Sequence, residues 1–287
     1  HKDDDVVEVA VNRRVPKGGC LTLKVEYVFR DSMEVANMDT FKTFYVETRT
    51  DWVTAEPLNY DRYVKLPVGG QFRAGPAVAA PVWNVTRDKP FMKIRAAVDD
   101  AATQPGDTIE VCPGEIRENA VVAGKERLVI RGTPGQTCLV KGIDPRKPVL
   151  DIRADSTTVQ FLTLQQPNQV GPVLLARGVK GIRAEYLDVA YGRVGIQYSS
   201  VEGGAIFGCT ARYNSYGARL DSCENVTVGD TLAGTWGSRG NEFSENVYAG
   251  LELNTSRDCR IIGNTALRNS GQEETSGIAL YGCLDLR

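Results

Sequence analysis

The chain has 287 residues, 42% of them hydrophobic, and a formal net charge of −2, enough for one large domain or two modest ones. A balance this close to neutral excludes a nucleic-acid binder driven by bulk electrostatics. The single histidine is His1, which leaves no internal His for a Ser–His or Cys–His pair, a His-ligated zinc site or a histidine base.

Residues 6–50 hold runs with strand alternation: Val7, Val9 and Val11, then Leu21, Leu23, Val25 and Tyr27, then Phe41 to Val46. Pro16-Lys-Gly-Gly separates the first two runs, as a turn between antiparallel strands does. Residues 1–83 therefore read as a small β-rich, sandwich-like domain that includes a Pro/Gly-rich linker over 66–82, and 84–287 as a second domain. Phe91, Ile94, Ala97, Val98 and Ala101 form one apolar stripe at helical spacing, which predicts a helix over 91–103 ended by Gln104-Pro105-Gly106. Short strands follow at 108–111 and 128–130, and no apolar run is long enough to span a membrane.

From residue 148 the sequence repeats. Pro148-Val-Leu-Asp-Ile-Arg recurs 24 residues later as Pro172-Val-Leu-Leu-Ala-Arg, and Gly-x-x-(Leu/Tyr) starts at Gly171, Gly195, Gly217, Gly250 and Gly277. Phe207-Gly-Cys-Thr-Ala-Arg-Tyr-Asn-Ser matches Ile262-Gly-Asn-Thr-Ala-Leu-Arg-Asn-Ser. Gly240-Asn241 and Asn246 take the equivalent places between them once about ten residues are looped out. A period near 23 with short strands and glycine turns identifies a β-solenoid. Alternation then points Pro172, Ile196, Ala218, Leu251 and Ile278 inward, with Leu174, Tyr198, Leu220, Leu253 and Leu280. Val173, Gln197, Arg219, Glu252 and Ala279 point outward, with Leu175, Ser199, Asp221, Asn254 and Tyr281.

Ile94-Arg-Ala-Ala-Val-Asp-Asp-Ala-Ala, Gly106-Asp-Thr-Ile-Glu-Val-Cys-Pro-Gly-Glu-Ile-Arg-Glu-Asn and the later repeats resemble the right-handed parallel β-helix proteins of the pectin-lyase-like superfamily. The resemblance covers 88–287. It implies an all-β, right-handed parallel β-helix with an N-terminal capping helix, here preceded by the β-rich domain. It is specific for fold and poor for activity, because lyases, esterases, epimerases, adhesins and tail proteins share the same opening. Asn241 and Asn264, with Cys209 at the equivalent position, resemble the stacked-asparagine turn of these solenoids. Cys223 and Cys283 share a column with Ser256 between them, so two rungs separate them and they read as small buried residues. Cys112 and Cys138, about one coil apart, are the disulfide candidate. Three Asn-x-Ser/Thr sequons begin at Asn84, Asn225 and Asn254.

Within this superfamily, polygalacturonases carry paired aspartates with Gly-His-Gly, and alginate epimerases carry Asp-Pro-His-Asp. A chain whose one histidine is His1 has neither motif. Gly229-Asp-Thr-Leu echoes one segment of the pectin methylesterases without its companion. Pectate-lyase-like chemistry needs Ca²⁺ on clustered carboxylates and an Arg or Lys base, and survives this test. Its candidate group is Arg219 and Asp221 on one rung with Glu252 and Asn254 on the next. Against it, an Arg–Glu pair across neighbouring strands is ordinary surface pairing, and an exposed Arg is a poor base. Trp236, in the extra segment 227–239, and Tyr281 could offer flat rings to a sugar, with Asn254 beside them.

The expectation is a secreted or cell-surface, non-catalytic β-helix: a scaffold, adhesin or glycan-binding module whose partner is a polysaccharide or cell-surface glycan. It needs no cofactor or metal and involves no nucleic acid. The enzymatic alternative is a Ca²⁺-dependent lyase of acidic polysaccharide, and a second alternative is a phage or viral fibre component. Because the sequence stops ten residues past Gly277, partway round a coil, continuation of the chain or stacking of another chain is expected there.

Overall fold

A computed structural model describes residues 80–229, 240–270 and 276–286, and the backbone of two short strands before them. The chain divides into two compact units, His1–Ala80 and Pro81–Arg287. In the first, Thr43–Phe44 pairs antiparallel with Leu58–Asn59, and the other strands expected over 6–50 lie outside the described residues.

The second unit is a parallel β-helix. Each coil supplies one strand to each of three sheets: Val194–Ser199 to a front sheet, Glu202–Phe207 to a side sheet and Thr210–Arg212 to a rear sheet. Tyr216–Asp221 then opens the next coil against Val194–Ser199. The front and rear sheets have seven strands each. The side sheet has nine, because Val82–Asn84 and Lys89–Phe91 extend it as antiparallel strands beyond Thr108–Val111. Inward positions alternate with outward ones, so the interior is a continuous apolar column that includes Ile130, Leu150, Leu164, Ile182, Ile196, Tyr198 and Phe243.

Register settles which repeats align. Leu174, Ile196, Ala218, Leu251 and Ile278 are paired in sequence along the front sheet, followed by Ala176, Tyr198, Leu220, Leu253 and Leu280. The expected alignment of Pro172 with Ile196 is thus two residues off. Only 22 residues separate Leu174 from Ile196, whereas 24 separate Leu150 from Leu174. A shift of two preserves side-chain parity, so the inward and outward sets hold from Ile196 onward, but Val173 and Leu175, expected outward, are buried, Val173 within the apolar core. Gly171 accordingly leaves the glycine column, which runs through Gly195, Gly217, Gly250 and Gly277. A Cβ on Gly217 would lie 2.4 Å from the Gly250 carbonyl oxygen and 2.9 Å from the Asn246 amide nitrogen, so close approach demands glycine there.

The helix α1 spans Ile94–Asp99, half the length expected, and buries Ile94, Ala97 and Val98 over the first coil. Phe91 belongs instead to the strand Lys89–Phe91. At the other end Asp100 is extended, and its carboxylate accepts the Ala102 N–H at 2.9 Å, a local bond that competes with helix continuation. Lys125 reaches over to donate to the carbonyls of Val98 and Asp100. Glu118 accepts the Ile94 N–H at 2.6 Å and serves as the cap that Lys93 does not provide.

Segment 230–239, outside the described residues, leaves the lattice around it intact: Thr210 still faces Glu242, Tyr216 faces Ala249 and Thr227 faces Arg260. On the last rung, Ile278 and Leu280 are 43% and 49% exposed although they continue the inward column.

The expected Cys112–Cys138 bond is not formed. Cys138 is a free, fully buried thiol that pairs in register with Gly114, two residues beyond Cys112, and accepts the Thr133 N–H at 3.2 Å. Cys223 and Cys283 are also free thiols, with Ser256 between them. All three side chains donate to carbonyls one coil back: Cys223 to Tyr198, Ser256 to Leu220 and Cys283 to Leu253.

Candidate functional site

The outward face of the front sheet gathers the residues singled out for chemistry. Strand register places Gln197, Arg219, Glu252 and Ala279 in one column and Ser199, Asp221, Asn254 and Tyr281 in the next. Arg219 Nε lies 2.9 Å from Asp221 Oδ1 and 3.2 Å from Glu252 Oε1. Asn254 Nδ2 donates to both carboxylates, at 3.0 Å to Asp221 and 2.8 Å to Glu252. Gln197 Nε2 donates to the other Asp221 oxygen at 3.2 Å. Beneath this net the guanidinium sits 5.6 Å from the ring centre of Tyr216, whose ring packs against Tyr248 at 5.3 Å.

The electrostatics follow. Partial burial works to lower the Arg219 pKa, but the hydrogen bond and charge of Asp221 and the charge of Glu252 outweigh it and raise the pKa above the ordinary value. Glu252 is only 8% exposed. The face is therefore a closed lattice of donors and acceptors with a fixed cation at its centre. Such a surface can recognise a polar ligand by hydrogen bonding. As a proton acceptor Arg219 is moved in the wrong direction. Among the described residues, no three His, Cys, Asp or Glu side chains gather in a geometry that could hold a metal ion.

Tyr281 lies exposed on the last rung opposite Asn254, and Trp236 lies outside the described residues. Two features of the edge escaped the sequence reading. One is a second asparagine ladder. The first runs from the Cys209 N–H to Asn241 Oδ1 at 2.9 Å and from Asn241 Nδ2 to Asn264 Oδ1 at 2.8 Å. The second links Asn214 N–H to Asn246 Oδ1 at 3.1 Å and Asn246 Nδ2 to Asn269 Oδ1 at 3.0 Å, and it sits beside the front sheet. Its signal was present, since both matched repeat blocks end in Asn-Ser. The other is an aromatic pair at the rear-to-front turn, Tyr191 and Tyr213, stacked at 5.7 Å with rings 10° apart. Both have positive φ, 64° and 58°, a conformation that turns their side chains out of the coil and that the sequence pattern does not advertise for Tyr.

No family model matches the chain. A cell surface glycoprotein from Methanothermus fervidus is 31% identical over 87 residues, 30% of this chain and 14% of that protein, so the chain matches a small part of its relative. Among solved structures, the A-module of a mannuronan C-5 epimerase from Azotobacter vinelandii is similar with a TM-score of 0.40 and 15% identity, over 67% of this chain and 70% of that one. No helix among the described residues is long and apolar enough to cross a membrane.

Proposed function

We propose that this chain is a cell-surface or secreted β-helix module that binds polysaccharide or cell-surface glycan on its front sheet without processing it. The observation that carries the reading is the fixed Arg219 guanidinium, held between Asp221 and Glu252 and seated on Tyr216. An elimination base must surrender a proton before it can take one, and two flanking carboxylates hold the Arg219 proton in place. The N–H groups of Arg219 and Gln197 that the lattice does not use lie beside the two carboxylates and can meet sugar hydroxyls, while Asn254 holds both carboxylates in place. The surface assignment draws support from the matched segment of the archaeal cell surface glycoprotein.

Affinity electrophoresis through gels containing acidic or neutral polysaccharides tests the proposal. Retarded migration of the chain, relieved by Arg219→Ala, is the expected result, with no unsaturated, ultraviolet-absorbing ends formed when Ca²⁺ is added. Ca²⁺-dependent formation of such ends, abolished by Arg219→Ala, would replace binding with lyase activity.

A further inference from the structure

The turns from the rear sheet into the front sheet carry a row of exposed apolar tips. Before the last rung, the described residues expose six large apolar side chains, and four of them stand in these turns on successive coils: Ile143, Val170, Tyr191 and Tyr213. Rungs about 4.8 Å apart give the row a length of about 14 Å. The turns are tied to one another. Asn119 Oδ1 accepts the Ile143 and Asp144 N–H groups at 3.0 and 2.8 Å, and Gln166 Nε2 donates to the Lys147 carbonyl at 2.6 Å. The Arg193 N–H bonds to the Gly171 carbonyl at 2.8 Å, and the Ser215 N–H to the Gly192 carbonyl at 3.1 Å. Gln169 Nε2 reaches across two coils to the Tyr213 carbonyl at 2.6 Å, and the Tyr213 ring stacks on Tyr191. The four turns thus form a ready-made ridge that loses little loop freedom on docking.

The charge at this edge runs against that of the chain. The whole sequence has a net charge of −2, yet the carboxylates beside the ridge are already matched: Asp144 with Lys147 at 3.6 Å, Asp188 with Arg212 at 3.1 Å and Glu245 with Arg268 at 2.7 Å. Lys141, Arg146 and Arg193 are left over, with no carboxylate partner among the described residues. Arg146 and Arg193 are exposed. Of the four tips, only Tyr191 lines the cleft of about 330 Å³ formed by Lys141 and Gln165–Gln169, so the row is a ridge of separate tips rather than the wall of one pocket. Apolar tips beside uncompensated cations fit a partner that is anionic at its face and apolar beneath. A headgroup layer yields around separate tips, whereas a folded partner must be shaped to each of them. Tyrosine, with an apolar ring and a polar hydroxyl, suits that boundary.

We infer that this edge docks the protein on an anionic phospholipid surface, with Ile143, Val170, Tyr191 and Tyr213 entering the headgroup layer and Lys141, Arg146 and Arg193 meeting lipid phosphates. The membrane is touched and not crossed. The inference goes beyond the glycan-binding reading and uses no residue of the front-sheet lattice.

Sedimentation of the whole chain with lipid vesicles tests it. Vesicles of phosphatidylglycerol and phosphatidylcholine in equal parts should carry the chain down at low salt and release it at high salt. Vesicles of phosphatidylcholine alone should bind it more weakly by about tenfold or more. Arg146→Ser combined with Arg193→Ser should weaken binding to the anionic vesicles by about thirtyfold, and Ile143→Ser combined with Val170→Ser by about tenfold. All four positions are exposed, so both double variants should keep the wild-type urea midpoint. Absence of vesicle binding, equal binding to the two kinds of vesicle, or binding indifferent to both double variants overturns the inference. So does a wild-type dimer in light scattering that Ile143→Ser with Val170→Ser converts to monomer, which would make the ridge a contact between copies of this chain. Arg219→Ala should keep vesicle binding while it loses polysaccharide retardation, so either reading can fail without the other.

Discussion

At the scale of single residues, this solenoid depends on side chains that bond along its axis. Asn246 is buried, accepts the Asn214 N–H, and donates to the Ala211 carbonyl and to Asn269 Oδ1 at 3.0 Å each. Asn246→Ala removes those partners and should cost about 1–3 kcal/mol in urea denaturation. Gly217→Ala should be at least as damaging, because its neighbour is a backbone oxygen that has nowhere to go. The buried thiols do quieter work. Burial drives the Cys209 thiol up to about 12, so it stays protonated and donates to the Ala184 and Phe207 carbonyls in the place an asparagine takes on later coils. The sequons also separate at this scale. Asn84 is fully buried and donates to Thr103 and Asp107, Asn254 is engaged in the front lattice, and Asn225 is exposed. In a glycosylating secretory host, glycopeptide mapping should find sugar at Asn225 and none at Asn84 in folded material.

At the scale of elements, α1 shows why a short helix can persist. Isolated, six residues would not hold a helical state. Here the apolar stripe closes the first coil, and Glu118, 24 residues on, supplies the missing N-terminal acceptor. Burial raises the Glu118 pKa above 4.5, against the lowering effect of the Ile94 and Arg95 N–H groups. A carboxyl whose folded pKa is raised binds its proton more tightly when folded, so its contribution to stability falls as pH rises from the ordinary carboxylate value to the raised one. Glu118→Gln should abolish that slope in denaturation curves taken across mildly acidic pH. Glu118→Ala should instead cost about 0.5–2 kcal/mol through loss of the cap. The apolar stripe made the helix legible in the sequence, but its end was not, because nothing in periodicity reveals that the Asp100 side chain will capture the Ala102 N–H. The repeat likewise gave the inward and outward sets from Ile196 onward, since parity survives a two-residue error, but not at Val173 and Leu175, which are buried. Placing Pro172 opposite Ile196 failed because the rear-to-front turn before Ile196 is three residues shorter than the one before Leu174, a change only partly offset by one extra residue at the front-to-side bend. The front lattice was readable because its members share one parity on adjacent strands. The Tyr191–Tyr213 pair was not, because it rests on turn conformation rather than on spacing.

At the scale of the molecule, each coil touches only its neighbours, so stability is a sum of local terms along one axis. The inward residues of the middle coils, such as Ile196, Tyr198 and Leu220, are wholly buried, whereas Ile278 and Leu280 are partly exposed. Hydrogen exchange should therefore be slowest over 194–221 and much faster over 276–281. Equal protection across both would contradict local coupling. The unbroken register on either side of 230–239 has a consequence for how such a molecule can be altered. Growth and recognition are uncoupled: the three sheets form a rack, and the bend between side and rear sheets is a socket through which segments of different length can be exchanged. Replacing 230–239 by a short Gly/Ser link should leave the urea midpoint nearly unchanged. Grafting a foreign recognition loop there should transplant a specificity without rebuilding the scaffold.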